Sequence, residues 1–284
     1  MIVDKESYFD IKSMSKSMES YFDIKSMSKS MGVQYYAFEH LTNAGIKHGF
    51  STRIGGVSKG RFASLNFGYS SGDCVDAVKQ NYNLFCNALG VDSVNIVTGV
   101  QVHGTNIEIA DGTKTKFEST DGLMTDKKDV VLTTYYADCV PLLFYDPIKR
   151  VIANAHAGWR GCAMDMAGKV IFAMKQHFNC DPANILAGIG PSISVKNFEV
   201  SEDVVQEFKK MLPFSQDFIY NSEIQKNKYH VDLWGVCQKS MINAGLLTQN
   251  IEVAGLCTFE NKELFHSHRR DGLPRGSMIA IICL

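Results

Sequence analysis

Apolar and polar residues alternate along most of the chain after Gln34, and the period of the alternation changes from segment to segment. Period-two patterns and short apolar runs predict strands. They occur in VQYYAFEHL (33–41), IKHGFST (46–52), VNIVTGVQVHG (94–104), NIEIA (106–110), DVVLTTYYA (129–137), VPLLFYD (140–146) and VIANAHA (151–157). Further along, NILAGIG (184–190), YHVDL (229–233), IEVAGLCTF (251–259) and SMIAIICL (277–284) read the same way. Val75, Val78, Tyr82, Phe85 and Leu89 instead follow helical spacing, with Asp73 placed to cap the helix and Gly90 to stop it. Other helices are predicted from about Cys162 to His177, over Val204–Met211 and near Trp234–Ala244. No Pro/Gly/Ser-rich linker divides residues 32–284, and helices interleave irregularly with many strands. The pattern predicts a single α/β domain with mixed sheets, not a neat parallel doubly wound fold.

The first 31 residues have a different texture. ESYFDIKSMSKSM spans Glu6–Met18 and recurs letter for letter over Glu19–Met31. The unit is too short for a solenoid repeat, and two copies are too few to stack. Residues 1–31 are expected to form a mobile or loosely docked extension that carries this tandem 13-residue repeat. Its mixed charges argue against a membrane anchor.

Composition narrows the function classes. The chain has 284 residues, 45% of them hydrophobic and 21% charged, with 29 Lys+Arg against 30 Asp+Glu. The formal net charge of -1 gives no support for binding nucleic acid or an anionic membrane. A local pocket for one small anion remains compatible with it. The eight cysteines (Cys74, Cys86, Cys139, Cys162, Cys180, Cys237, Cys257 and Cys283) form no C-x-x-C pair and no disulfide-like framework. Reduced thiols, mostly buried, are expected. The N-terminus MIVDKESYFD lacks the basic-then-apolar layout of a secretory signal, and no apolar run is long enough to span a bilayer. A cytoplasmic protein is the expectation.

Three chemically capable residues stand at ends of predicted strands: His103 in QVHG, Cys139 in ADCVP and His156 in NAHAGWRG. Two imidazoles and a thiolate are a sensible zinc set, catalytic if a fourth position stays open and structural if a fourth protein ligand closes it. The same residues also allow a Cys139 nucleophile with His156 or His103 as base. Asp138, next to Cys139, would point to the opposite face if the strand continues. Singly, each of these residues is more often explained by packing or hydrogen bonding.

Cationic groups in glycine-bearing loops surround these positions. Arg53 lies in FSTRIGGVSKG, Arg160 in HAGWRG, and His266, His268, Arg269 and Arg270 in HSHRRDG. The guanidinium fork suits phosphate or carboxylate, and glycines let backbone N–H groups approach an anion. Arg53, Arg160, Arg269 and Arg270 are the candidate substrate- or phosphate-binding residues, expected around one pocket. IGPSI (189–193) adds a tight turn that could shape its wall.

HGFSTRIGGVS, SLNFG, QVHG, DGLMT, ADCVPLLFYD, HAGWRG, IGPSI and CTFENKELFHSHRRDG occur in this order over nearly all of residues 32–284. Together they closely resemble the purine nucleoside phosphorylases formerly called laccase-domain or polyphenol-oxidase-like proteins. A bacterial peptidoglycan-editing factor and a human immunometabolic enzyme belong to that family. The resemblance implies a layered α/β/β/α fold, similar to that of certain cysteine hydrolases. It implies one zinc per chain, held by His103, Cys139 and His156 with an open fourth position. It implies a catalytic domain over 32–284 that converts adenosine, inosine, guanosine or methylthioadenosine, with phosphate, to base and ribose 1-phosphate. Adenosine deamination at the same site is implied as well. His268 stands where the family more often carries tyrosine. Asp138 and His266 are candidates for the acid that assists the departing purine.

Alternatives remain beside this reading. One is a cysteine amide hydrolase acting on peptidoglycan precursors with Cys139 as nucleophile. Another is a multicopper phenol oxidase, for which only His266 and His268 have the needed His-x-His spacing. A third is an interaction protein stapled by a structural zinc.

Overall fold

The computed structural model describes residues 27–30 and 32–284. Alternation within the central strands sorts their side chains into separate cores. In Met278–Cys283, Met278, Ala280 and Ile282 enter one core and Ile279, Ile281 and Cys283 another. In Val140–Asp146, Leu143 and Tyr145 join the first of these, while Val140, Leu142 and Phe144 enter a third. Strands buried on both faces lie between layers, which explains their near-continuous apolar sequences.

Among the described residues the strands form three sheets. The first runs Met27–Ser30, Val33–Tyr36, Lys47–Ser51, Met278–Cys283, Val131–Tyr136, Ile96–Gly99, Lys116–Phe117. The second runs Ile251–Val253, Leu186–Ile189, Val140–Asp146, Val151–Ala157, Gly122–Thr125, Ile107–Ile109. Both mix parallel and antiparallel pairs. A small antiparallel sheet joins Glu199–Ser201, Lys228–Val231 and Ile219–Asn221. The helix Val75–Leu89 covers the outer face of the first sheet. Trp159–Ala163, Met166–Phe178, Glu202–Met211 and Leu233–Asn243 cover the second. The order of layers is helix, sheet, sheet, helices, as the family resemblance implied. No helix among the described residues is long and apolar enough to cross a membrane.

Several sequence expectations shift in detail. Val33–Leu41 is a strand only to Tyr36, after which Glu39–Asn43 turns helical. The helix placed at Cys162–His177 is two helices, divided at Asp165, whose left-handed backbone (φ 63) breaks the run. Asp73 does not cap the helix that follows it. Cys74 takes the N-cap position, and Asp73 accepts bonds from the Cys74 N–H and the Asn66 amide. Gly90 does end that helix, at φ 66. Most of the repeat lies outside the described residues. Its last described part, Met27–Ser30, pairs with Val33–Tyr36, so regular pairing begins inside the segment expected as an extension.

The two large sheets are joined by a buried polar staple. Asn154 donates to the carbonyls of Leu132 and Ala280 on the facing sheet, both at 2.9 Å, and accepts from the Thr134 hydroxyl at 2.5 Å. The residue is fully buried. Replacing it with an apolar side chain removes three buried hydrogen bonds between the sheets. Asn154→Val is expected to cost about 3 kcal/mol of folding stability. Urea denaturation of the two proteins measures it.

Candidate metal centre

The chain crosses repeatedly between the two facing sheets, and these crossings build the site. It leaves Ile96–Gly99 in the first sheet and enters Ile107–Ile109 in the second, passing through His103. It leaves Lys116–Phe117 for Gly122–Thr125, passing through Asp121. It leaves Val131–Tyr136 for Val140–Asp146, passing through Asp138 and Cys139. Val151–Ala157 then pairs antiparallel with Val140–Asp146, with His156 opposite Pro141. His103, Cys139 and His156 thereby come together: one potential ligand atom from each lies within 4.8 Å of the others. Among the described residues this is the one such cluster of three or more ligand-type side chains.

A single buried carboxylate sets the geometry. Asp121 accepts the consecutive backbone N–H groups of Val102, His103 and Gly104, at 3.1, 3.0 and 2.8 Å. Its Oδ1 also accepts from Nδ1 of His156 at 2.9 Å. His103 adopts φ 60, the left-handed backbone that lets three successive amides converge on one anion. Because Nδ1 of His156 is committed to Asp121, its Nε2 is left as the ligand atom. Gln101 anchors the same loop, accepting from the Tyr135 N–H at 2.6 Å and donating to the Tyr135 carbonyl at 2.9 Å. At Gly158 any Cβ would lie 2.7 Å from the His103 ring and 3.4 Å from the Cys139 sulfur, so only glycine lets the chain turn there.

The electrostatics agree with a metal-ready set. Burial pushes the Asp121 carboxyl up, but the bonds from His156, Gly104 and Val102 outweigh it and hold the group below the usual carboxylate range. Burial likewise opposes ionisation of Cys139. The charge of His156, hydrogen bonds from both imidazoles and the charge of His103 overcome it, bringing the thiol down to about 6. Burial also works against protonation of His156, yet the Cys139 thiolate and Asp121 raise its pKa to about 9. Once an ion displaces the His156 proton, two imidazoles and a thiolate fit a zinc-type ion. No fourth ligand-type side chain joins the cluster among the described residues.

Two members of the cluster, His103 and Cys139, face a cavity of about 610 Å³ lined also by Val102, Ala137, Asp138, Trp159, Arg160, Ile193, Phe198, Leu233, His268 and Arg269, while His156 is buried behind them. Such a volume suits a small organic ligand. The Arg160 guanidinium stacks on Trp159, 4.2 Å from the ring centroid. Arg269 spans Phe198 at 5.4 Å and donates to the Asn197 and Glu199 carbonyls. One wall is apolar and the rim is cationic.

The expectation of a single pocket ringed by four arginines is corrected. Arg53 and Arg270 line a separate concavity with Lys262, Glu263 and Asp271. Arg53 donates to the carbonyls of Ala63 and Lys262. Arg270 spends its fork on the carbonyls of Thr258, Phe259 and Phe265 and on Asp271. Apart from Asp271, their partners are main-chain oxygens brought in by the fold, so both clamp the C-terminal loops together. The view that Asp138 points away from Cys139 also fails, because no strand continues through them. At φ 83 Asp138 turns the chain and lines the same cavity. Its carboxylate accepts from the Thr258 and Ser267 hydroxyls and the Arg269 N–H, at 2.6, 3.0 and 2.7 Å. These three bonds tie the carboxylate to the C-terminal loop. His266 is buried outside the cavity lining, packed against Gly276. Burial, helped by Arg53, drops its pKa to about 3, so it is no proton donor. Asp121 and Gly158 were missed as site residues. In DGLMT an aspartate before glycine reads as a turn, and only its complete burial reveals the anchor.

Residues 47–284 match the family model described as multi-copper polyphenol oxidoreductase laccase. A Bacillus subtilis protein named purine nucleoside phosphorylase YlmD is 34% identical over 259 residues, which cover 88% of this chain and 92% of that relative. The mouse purine nucleoside phosphorylase LACC1 is 31% identical over 244 residues, covering 84% of this chain and 55% of its own length. Among solved structures, YlmD from Geobacillus stearothermophilus superposes with a TM-score of 0.84 at 32% identity, covering 90% of this chain and 97% of that one. The YfiH protein of Bacillus licheniformis gives 0.83 at 31% identity, covering 91% and 98%.

Two outcomes follow from this geometry. Asp121→Asn removes carboxylate acceptors from both the loop and His156. It is expected to weaken zinc binding about 10- to 100-fold, read by competition with a chromophoric chelator. In metal-stripped protein, alkylation of Cys139 should rise with pH through a midpoint near 6. Cys86 and Cys180, raised by burial to about 12, should stay inert. Mass spectrometry of iodoacetamide adducts against pH reads both; a Cys139 midpoint near 9 would contradict the electrostatics described.

Proposed function

We propose that this chain, which belongs to the family described as multi-copper polyphenol oxidoreductase laccase, is a zinc-dependent purine nucleoside phosphorylase and not a copper oxidase. The names of its relatives support nucleoside phosphorylase activity. The observation that carries the reading is the His103–Cys139–His156 cluster, which presents His103 and Cys139 to a cavity with an apolar wall and a cationic rim. A multicopper centre needs several ligand clusters, whereas the described residues hold one, and His266 is buried away from it.

In this reading phosphate and nucleoside meet in the cavity. Arg160 and Arg269 hold the phosphate, drawing its charge toward the sugar carbon. Trp159 fixes the Arg160 plane before substrate arrives, so less ordering is required on binding. Ile193, Phe198 and Leu233 shelter the base from water. The bond from C1′ to the base nitrogen breaks with its electron pair going to the base, and a phosphate oxygen bonds C1′ to give ribose 1-phosphate. His103, Cys139 and His156 would hold the zinc, which would supply Lewis-acid polarisation when bound. Asp121 holds His103 and His156 in place throughout. Adenosine deamination at the same centre and use of adenosine, inosine, guanosine and methylthioadenosine belong to the same proposal. So do a catalytic domain over 32–284, a cytoplasmic location and small-molecule partners only.

One observation favours a second reading. Cys139, His156 and Asp121 stand in the order of a thiol, its base and the carboxylate that orients the base. A cysteine amide hydrolase would use them so. The second imidazole, His103, has no part in such a triad and every part in a metal set.

Purified protein is expected to hold about one zinc per chain and to release hypoxanthine from inosine only with phosphate present. His103→Ala should lower kcat/KM at least about 100-fold together with zinc content. Full activity after exhaustive chelation, with an acyl adduct on Cys139, would instead establish the hydrolase.

A further inference from the structure

His268 lies at the start of the short helix His268–Asp271 and lines the cavity that holds the metal cluster. Its Nδ1 accepts a hydrogen bond from Nε of Arg275 at 3.3 Å. Arg275 is itself tethered, donating to the Gly276 carbonyl at 3.0 Å and to the Ser277 hydroxyl at 3.1 Å. A guanidinium offers donors only. In this geometry the His268 ring accepts at Nδ1, and its N–H stands at Nε2. A histidine in this state cannot serve as a proton source, because losing that proton would leave an imidazolate. In this tautomer it is a hydrogen-bond donor oriented by Arg275.

What such a donor recognises follows from the reaction. As the base departs with the electron pair of the C1′–N9 bond, negative charge spreads over its five-membered ring. In the intact nucleoside N9 is occupied by the sugar, and N7 is the ring nitrogen of that five-membered half with a free lone pair. A preorganised N–H at N7 becomes a stronger partner as the charge grows, which is the condition for accelerating the step. The other polar side chains of the cavity are already committed or differently suited. Asp138 already accepts from three donors, and Arg160 and Arg269 carry full charges that suit phosphate. Resting on the phosphorylase reading above, we infer that His268 is a catalytic residue that donates its Nε2–H to N7 of the departing purine, with Arg275 holding it in that tautomer. N7 is an acceptor in 6-amino and 6-oxo purines alike, so this contact favours purines as a class and does not choose among them.

The experiment compares inosine with 7-methylinosine in the zinc-loaded, full-length protein. Methylation removes the N7 lone pair and lets the base depart uncharged, so no donor is needed there. His268→Ala is expected to lower kcat/KM for inosine about 100-fold while leaving 7-methylinosine unaffected or improved. The ratio of the two rates, 7-methylinosine over inosine, therefore rises by about the same factor. His268→Gln, which restores an N–H near the Nε2 position, should bring the ratio part of the way back. Arg275→Met, which frees the tautomer, should raise it by a smaller factor. Because the readout is a ratio measured on one protein, partial unfolding or zinc loss cancels from it. An unchanged ratio in His268→Ala overturns the role of His268 alone. Failure of the wild-type protein to phosphorolyse inosine overturns the reading on which it rests.

Discussion

Everything in the site hangs on one buried negative charge. A carboxylate with no exposure to water is tolerated only where donors replace its lost hydration. Asp121 has four, three from consecutive amides and one from an imidazole. The energetic demand of that charge thus does structural work. It draws the 102–104 loop into a left-handed turn, and it selects which nitrogen of His156 is free. The two imidazoles are placed by the same group, so their separation is fixed by one anchor rather than by two independent ones.

The location of the site follows from how the sandwich is threaded. Segments that switch from one sheet to the other must leave regular pairing, and at those bends side chains are free of strand alternation. His103, Asp121, Asp138 and Cys139 all occupy such switches, and His156 closes the set from the end of a strand. The sheets on either side are buried and continuous, so the bends cannot drift. Rigid layers with irregular backbone between them give accurate placement to residues that no helix or strand could hold so close.

Much of this was legible before any coordinates. The strands of 131–157 and 278–283 announced themselves as apolar runs because both of their faces are buried. The three ligand-type residues stood out as polar side chains at the ends of such runs. Asp121 was hidden, since an aspartate before a glycine signals a turn and burial is a tertiary property. The arginines were legible only as a class. Arg160 and Arg269 reach the cavity, whereas Arg53 and Arg270 meet carbonyls from segments far away in sequence, and no local pattern records that. Asp138 misled because period-two reasoning assumes a strand, and a residue at φ 83 ends one.

The threading has a consequence for how the molecule is held together. His103, Cys139 and His156 belong to segments well separated along the chain, and each lies where one layer hands the chain to the next or a strand ends. An ion gripping all three would act as a cross-link across the open end of the sandwich, closing two long loops at a single point. Its binding energy would then be shared between chemistry and architecture, and the pocket could not assemble before the two sheets had docked. The centre would therefore serve as a checkpoint on folding: only a chain that has completed its layers can hold the ion.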